Sequence, residues 1–115
     1  MDIGDDPRFH AGIAALRAHD YYDASELFEE LFFEGVRDEV DFACLFLQLA
    51  VGAHHLERGQ RRAAIDRLAE GLIALRKVTD DRGYDLLRLR TDVEALISSV
   101  RAGQAFRWPE VFPRG

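Results

Sequence analysis

Apolar residues recur every three or four positions along most of this chain, the spacing that places them on one face of an α-helix. The pattern predicts five helices, over residues of about 7–19, 20–35, 39–58, 60–78 and 85–102. Asp6 and Pro7 mark the first start, because Asp accepts bonds from free helix N–H groups and Pro fits the first turn. Asp20 is placed to cap the second helix, and Gly59 follows the third. The predicted fold is an all-α, compact bundle of about five helices.

The chain ends in an irregular aromatic tail, residues 103–115. Pro109 and Pro113 cannot continue a helix, because proline lacks the N–H group and clashes with the preceding turn. We expect the aromatic side chains around them, Phe106 and Trp108 included, to pack back onto the bundle. The length of 115 residues predicts a single domain over 1–115, with a helical core over 7–102.

A weak internal repeat relates two parts of the chain at an offset of 40 residues. Gly12, Leu16, Ala24 and Phe28 correspond to Gly52, Leu56, Ala64 and Leu68. Each copy is a helix, a short turn and a second helix, with a small residue where the two helices cross. Two copies are too few for a solenoid, so the repeat predicts a bundle built on two helical hairpins.

Charge is unevenly distributed along the chain. The formal net charge is −6, which argues against nonspecific binding to nucleic acid. Acidic residues are concentrated over 20–41, and arginines over 58–90. This pattern predicts two solvated helix faces that attract each other, within the fold or across a dimer. A surface that collects cations is the alternative.

The single cysteine, the first residues and the apolar stretches of the sequence bear on the cellular compartment. Cys44 is the only cysteine, so no intramolecular disulfide is possible. The first residues show no signal peptide, and the longest apolar run, 42–53, is too short to span a membrane. We therefore expect a soluble, cytoplasmic protein without a membrane partner.

The predicted second helix carries apolar residues on two faces. Ala24, Phe28 and Leu31 belong to one stripe at about 100° per residue. Ser25, Glu26 and Glu29 lie among the aromatic residues of the other face. Carboxylates among aromatic side chains need partners or a raised pKa. This second face is therefore either a structural anchor or a site.

The predicted third helix offers partners for these carboxylates. It is apolar on all sides over 42–53 except at Gln48, and a helix of that kind is buried, so Gln48 is predicted to be a buried amide. His55 lies two turns later on the same face. If the second and third helices are antiparallel neighbours, Glu26, Glu29, Gln48 and His55 meet in the interior, with Ser25 beside them. Such a cluster is either a satisfied polar network or a site for a metal or small ligand.

Three stretches of the sequence together carry a family resemblance. They are Tyr21-Tyr22-Asp23-Ala24-Ser25-Glu26-Leu27-Phe28-Glu29-Glu30-Leu31-Phe32, Phe46-Leu47-Gln48-Leu49-Ala50 and His54-His55-Leu56-Glu57-Arg58-Gly59. With Phe9 before them and Ala64 after, the chain resembles the small bacterial and archaeal proteins of domain of unknown function family 309. The likeness extends over residues of about 9–78 and is looser beyond.

The family pattern differs from this chain at a few positions. It has His where this chain has Ser25, Trp at Phe32, and a Gln-Gly pair at Cys44 and Leu45. Its carboxylates, amide and second histidine fall on Glu26, Glu29, Gln48 and His55. The resemblance implies an all-helical fold and a shared polar cluster. It implies no activity, because that family's function is not established.

Three functional hypotheses follow. The first is a noncatalytic binding or interaction protein, homo-oligomeric, in which the Glu–Gln–His cluster fixes the hairpins. The second is a metal-dependent or acid–base enzyme on a small substrate, in which Glu26 and Glu29 bind a divalent metal or act as base and His55 is a ligand or proton carrier. The third is a peptide-binding helical-repeat adaptor, which needs a concave groove that two hairpins barely make. The sequence requires no cofactor and identifies no particular small-molecule ligand.

Overall fold

The computed structural model describes residues 1–115. It contains one short 3-10 helix, Ile3–Asp5, followed by five α-helices: α1 Pro7–Arg17, α2 Tyr21–Glu34, α3 Asp38–Glu57, α4 Arg61–Lys77 and α5 Leu86–Arg101. The only β-type pairing is an isolated antiparallel bridge between Tyr84 and Pro113. The predicted all-α bundle of five helices is confirmed, and every helix end lies within two residues of its predicted position. None of the helices combines the length and apolar content that a membrane crossing needs.

Two of the helices begin at aspartates that accept backbone hydrogen bonds. The Asp6 carboxylate accepts from the N–H of Arg8 at 2.9 Å, directly before α1. Asp85 accepts from the N–H of Arg88 at 3.0 Å, directly before α5. Asp20 also precedes its helix, but its side chain makes no capping bond. The sequence therefore located the start of α2 correctly and misassigned the bond that stabilises it.

The internal repeat is visible in three dimensions as two helical hairpins, α1 with α2 and α3 with α4. A Cβ atom added at Gly12 would lie 2.7 Å from the ring of Phe28. At the equivalent place in the second hairpin, a Cβ atom at Gly52 would lie 2.8 Å from Cγ of Leu68. Real Cβ atoms do not approach carbon this closely, so each crossing depends on its glycine.

The core is a single cluster of 28 buried hydrophobic residues, with α3 at its centre between α2 and α4. Four phenylalanine rings form the aromatic part. Phe9 stacks on Phe42 with centroids 5.2 Å apart and meets Phe28 and Phe46 edge-on at 5.9 and 5.4 Å. Edge-on and offset contacts of this kind stabilise aromatic cores beyond their buried area.

A polar clamp, absent from the predictions, joins the chain start to the second hairpin. The guanidinium of Arg82 binds Asp2 at 3.0 Å and Asp38 at 3.2 Å, and its side chain is 6% exposed. It also lies over the ring of Phe42, 4.7 Å from the centroid. The hydrogen bonds from Arg82 hold the pKa of both carboxyls below the ordinary value. The clamp fixes the loop between α4 and α5 against the start of α3.

The tail returns to the bundle, as predicted. The Trp108 ring contacts those of Tyr21 and His19, at centroid distances of 5.2 and 6.0 Å, and Val111 is buried. Backbone bonds hold the far end, from the Asp85 N–H to the Phe112 carbonyl at 2.8 Å and from the Arg114 N–H to the Gly83 carbonyl at 2.6 Å. The tail therefore connects the α1–α2 turn to the start of α5.

Candidate functional site

The structure does not show the buried Glu–Gln–His cluster. Glu26 and Glu29 are exposed on the outer side of α2, and no polar or charged residue is fully buried, apart from Tyr21, which is counted with the hydrophobic core. The physical reason is the rotation of α2 about its axis. Its Ala24–Phe28–Leu31 stripe fills the contact with α1 and α3, which turns the second face, with its carboxylates and aromatic residues, toward solvent.

Two further residues of the predicted cluster, Ser25 and His55, are bonded locally. Ser25 Oγ donates to the carbonyl of Tyr22, 2.6 Å away in the same helix. His55 Nδ1 lies 2.7 Å from Oε1 of Gln60, at the turn that follows α3. Gln48 is half-buried, and its Oε1 atom is shielded from solvent without a hydrogen-bond partner. These side chains therefore do not form one network.

Glu26 has a neighbour that the sequence did not predict. Its carboxylate raises the pKa of the Tyr22 hydroxyl through a hydrogen bond and through its charge. The Tyr22 ring in turn lies 5.8 Å from the ring of His54. The histidine that meets α2 is thus His54 and not His55. No group of three or more His, Cys, Asp or Glu side chains is arranged to hold a metal ion.

The outer face of α2 is the most exposed apolar surface near these residues. We define it as Tyr22, Glu26, Glu29 and Phe33, which share one side at helical spacing. Its two apolar members, Tyr22 and Phe33, are 58% and 77% exposed. A partly covered ring, Phe32, meets Phe33 edge-on at 5.6 Å. The face therefore mixes large apolar side chains with carboxylates.

A second partly open surface runs along α3 beside this face. Its residues, Cys44, Gln48, Val51 and His55, are all half-buried, and we call them the open edge of α3. Burial raises the pKa of the Cys44 thiol, and the neighbouring Gln48 amide partly offsets this effect. On one side, Gly71 of α4 approaches Gln48 closely, since a Cβ there would lie 3.4 Å away. On the other side, Tyr22 of α2 contacts His54, so the edge lies between α2 and α4.

A cleft of about 840 Å³ lies between α5 and the tail. Among its lining residues are His19, Arg88, Asp92, Ser99, Phe106 and Trp108. None of the predicted site residues lines it. From the sequence, Phe106 and Trp108 were expected to pack onto the bundle, and no cleft was predicted beside them. The signal that could have located the cleft is the pair of prolines, which keeps the tail extended and prevents it from packing as a sixth helix.

A buried hydroxyl lies close to this region. The Tyr21 side chain is 4% exposed, and its hydroxyl has no hydrogen-bond partner. Burial raises the pKa of this hydroxyl, and the charge of Glu57 adds to the effect. Its ring is stacked with that of His19, 5.5 Å between centroids. The hydroxyl is therefore neutral and available as a donor, at the junction of α1, α2 and the tail.

Comparison with protein families gives one match. The model of Domain of unknown function (DUF309) matches residues 9–66, which is 58 of the 115 residues, and the chain therefore belongs to this family. The match spans α1, α2, α3 and the start of α4, and leaves out α5 and the tail. Comparison with curated proteins gives no match, and comparison with solved structures gives none either. The family resemblance predicted from the sequence is confirmed, and it carries no activity with it.

Proposed function

We propose that the protein is a noncatalytic interaction module that acts as a homodimer. The observation that supports this proposal is the exposure of the outer face of α2, where Phe33 is 77% and Tyr22 58% exposed. The tail contacts α2 only near its start, where Trp108 packs on Tyr21 and His19, and it leaves the end of the face around Phe33 uncovered. Clustered apolar side chains at the surface are typical of protein interaction sites. A second copy of the chain is the occupant that its charges favour.

The charge argument uses the layer α2–α3–α4. Tyr22 contacts His54, and Gly52 packs against Leu68, so Glu26 of α2 and Arg67 of α4 lie at similar levels on either side of α3. A two-fold axis parallel to α3 would place α2 of one copy over α4 of its partner. Glu26 and Arg67 would then meet twice, once on each side. Complementary charges set the register and speed the encounter, and an interface of this symmetry closes at two copies.

The open edge of α3 would lie on the axis. Cys44, Gln48, Val51 and His55 follow a spacing of four, three and four residues, which is the seam spacing of paired helices. Across the axis each residue would face its own equivalent. An amide has both donors and an acceptor, so two Gln48 side chains can bond each other. This pairing would remove the cost, about 1–3 kcal/mol, of a shielded carbonyl without a partner.

The alternative prediction, an enzyme acting through the same residues, loses the convergence on which it depended. Glu26 and Glu29 face outward, while His55 is bonded to Gln60 in the turn that follows α3. None of the residues of the predicted cluster lines the cleft between α5 and the tail. The interaction module therefore fits the positions of these residues better than the enzyme does.

Sedimentation velocity over a range of concentrations tests the dimer. We expect the wild type to sediment as a dimer and Phe33→Glu as a monomer. Leu87→Glu is the matched control, because Leu87 is 67% exposed on α5, away from the proposed interface, and it should remain dimeric. A wild type that stays monomeric at every concentration would contradict the proposal.

A charge exchange tests the symmetry of the dimer more closely. Glu26→Arg and Arg67→Glu should each weaken dimerisation, because each puts like charges opposite one another on both sides of the axis. The double variant restores opposite charges, so its dimerisation should return toward that of the wild type. If the double variant loses as much dimerisation free energy as the two single variants lose together, the proposed orientation is wrong.

A further inference from the structure

We infer that the cleft between α5 and the tail binds an extended peptide, which pairs with the tail as an added strand. The site is separate from the proposed dimer interface, and none of its residues belongs to α2, α3 or α4. The inference therefore stands whether or not the chain dimerises. It rests on the shape of the cleft, the free backbone groups of the tail and the side chains that line both walls.

The cleft has the dimensions of a short extended segment. Arg88, Asp92, Ala95 and Ser99 form its floor, at the i, i+4, i+7 and i+11 positions of one α5 face. Eleven residues of helix are about 16 Å long at a rise of ~1.5 Å. Five extended residues at ~3.3 Å each cover that length. The volume, about 840 Å³, falls within the range of ~300–1,000 Å³ that ligand sites in proteins occupy.

The tail offers unpaired backbone groups along the cleft. It is anchored at one end by the Gln104 N–H, which donates to the Ser99 carbonyl at 2.9 Å, and at the other by the Phe112 carbonyl, which accepts from Asp85. Between these anchors no backbone N–H donates a hydrogen bond within the protein. Its carbonyl groups are also free, except that of Val111, which accepts from Arg17 at 3.0 Å. Unpaired backbone groups of this kind are what the edge of a sheet offers to another chain. Extended peptides bind such edges through main-chain hydrogen bonds.

The lining side chains indicate what kind of peptide fits. Phe106, Trp108 and Phe112 supply apolar surface. Four charged residues also line the cleft, two of each sign: Arg88, Asp92, Arg107 and Glu110. None of the four forms an ion pair within the protein. A peptide with apolar side chains on one face, charges of both signs and no net charge matches this lining.

The tail itself shows how the start of α5 holds an extended aromatic segment. The Asp85 N–H donates to the Phe112 carbonyl at 2.8 Å, and the Arg88 guanidinium lies 3.6 Å from the centroid of the Phe112 ring. Main-chain bonding and a cation over an aromatic ring are thus already combined there. A peptide in the cleft would take its main-chain bonds from the tail, because the N–H groups in the inner turns of α5 are already bonded within the helix.

Tryptophan fluorescence of the full chain provides the test, because Trp108 lines the cleft and is the only tryptophan. The probe is acetyl-Lys-Phe-Ala-Phe-Glu-amide, which has both phenylalanines on one face and no net charge. We expect a saturable change of Trp108 emission. The same peptide with both phenylalanine nitrogens methylated should bind at least about tenfold more weakly, because it loses main-chain donors.

Matched variants locate the binding. Ser99→Phe fills the cleft and should abolish the response, whereas Ser98→Phe, at an exposed neighbouring position outside the cleft, should leave it unchanged. Should circular dichroism show Ser99→Phe unfolded, Ala95→Phe, at an exposed position of the floor one turn earlier, replaces it. An absent or unsaturable response, an equal response from Ser98→Phe and the cleft variants, or equal binding of the methylated peptide would each overturn the inference.

Discussion

The first hairpin, α1 with α2, and the second, α3 with α4, turn through the same backbone geometry with different residues. His19 and Gly59 both have positive φ, at 61° and 73°. The next residues, Asp20 and Gln60, have φ of −89° in both hairpins and ψ of 68° and 70°. The Asp20 N–H donates to the Ala15 carbonyl at 2.8 Å, and the Gln60 N–H to the His55 carbonyl at 2.9 Å. The turn is therefore defined by these backbone bonds, and it accepts different side chains.

The outward positions of the same two hairpins differ in character. Tyr22 of α2 corresponds to Arg62 of α4, and both are exposed. Phe33 is 77% exposed, and its equivalent, Ile73, 45%. The inward positions agree, since Ala24 and Ala64 are both fully buried. Packing thus constrains the two hairpins alike on the inside, while their outer faces have diverged to an aromatic, acidic surface on one and a basic surface on the other.

Adding a methyl group at the helix crossings gives the largest expected effect. Gly12→Ala would place its Cβ 2.7 Å from the Phe28 ring, which is held by Phe9 and Phe46. We expect a loss of about 1–3 kcal/mol in the free energy of unfolding, after allowing for the better helix propensity of alanine. Gly52→Ala meets Cγ of the buried Leu68 at 2.8 Å and the Ala64 carbonyl at 3.3 Å, so its loss should be of similar size. Urea unfolding measures both.

Gly71→Ala is the control for these two variants. It is also a buried helical glycine, but its added Cβ would lie at ordinary contact distances of 3.4 Å or more from its neighbours. It should be neutral, or more stable by up to about 1 kcal/mol. If Gly12→Ala is as stable as Gly71→Ala, the crossing of α1 and α2 is looser than the structure describes.

The turns give a smaller expected effect. Gly59→Ala puts a Cβ atom on a left-handed residue and should cost about 1 kcal/mol, which lowers Tm by about 5 °C in a domain of this size. His19 already bears this backbone cost, so His19→Gly relieves it. The same substitution removes the His19 ring from Tyr21 and Trp108, so the two effects should nearly cancel. A fall in Tm for His19→Gly as large as that for Gly59→Ala would show that ring stacking stabilises the first turn more than strain weakens it.

The sequence predicted those features of the fold that depend on local signals. Helical periodicity and the markers at Asp6 and Gly59 placed the helix ends, and the repeat predicted the two glycine crossings. The Arg82 clamp escaped prediction because its partners, Asp2 and Asp38, are 80 and 44 residues away in sequence. No local pattern separates such a residue from an ordinary arginine in a turn.

The candidate site was predicted less well, for a related reason. The pattern of α2 shows two apolar faces but does not say which one the neighbouring helices cover, and only the packing of α1 and α3 decides that. Aromatic residues beside Glu26 and Glu29 were taken as a sign of burial, yet Phe33 is among the most exposed residues of the chain. Gln48 is half-buried because it lies at the border between α2 and α4, where a helix that is apolar on all sides still meets solvent.

The smallest expected effect belongs to the residue on which the buried-cluster prediction depended most. Glu26→Gln keeps the side-chain shape and removes the charge; in a buried network it would cost about 1–3 kcal/mol. Because Glu26 is exposed, we expect the free energy of unfolding to change by less than about 0.5 kcal/mol. Asp66→Asn, the equivalent exposed carboxylate of α4, should behave alike in urea unfolding at a concentration where both variants are monomeric. If only Glu26→Gln lowers the free energy of unfolding under those conditions, Glu26 is part of a stabilising network, as the sequence predicts and the structure does not show.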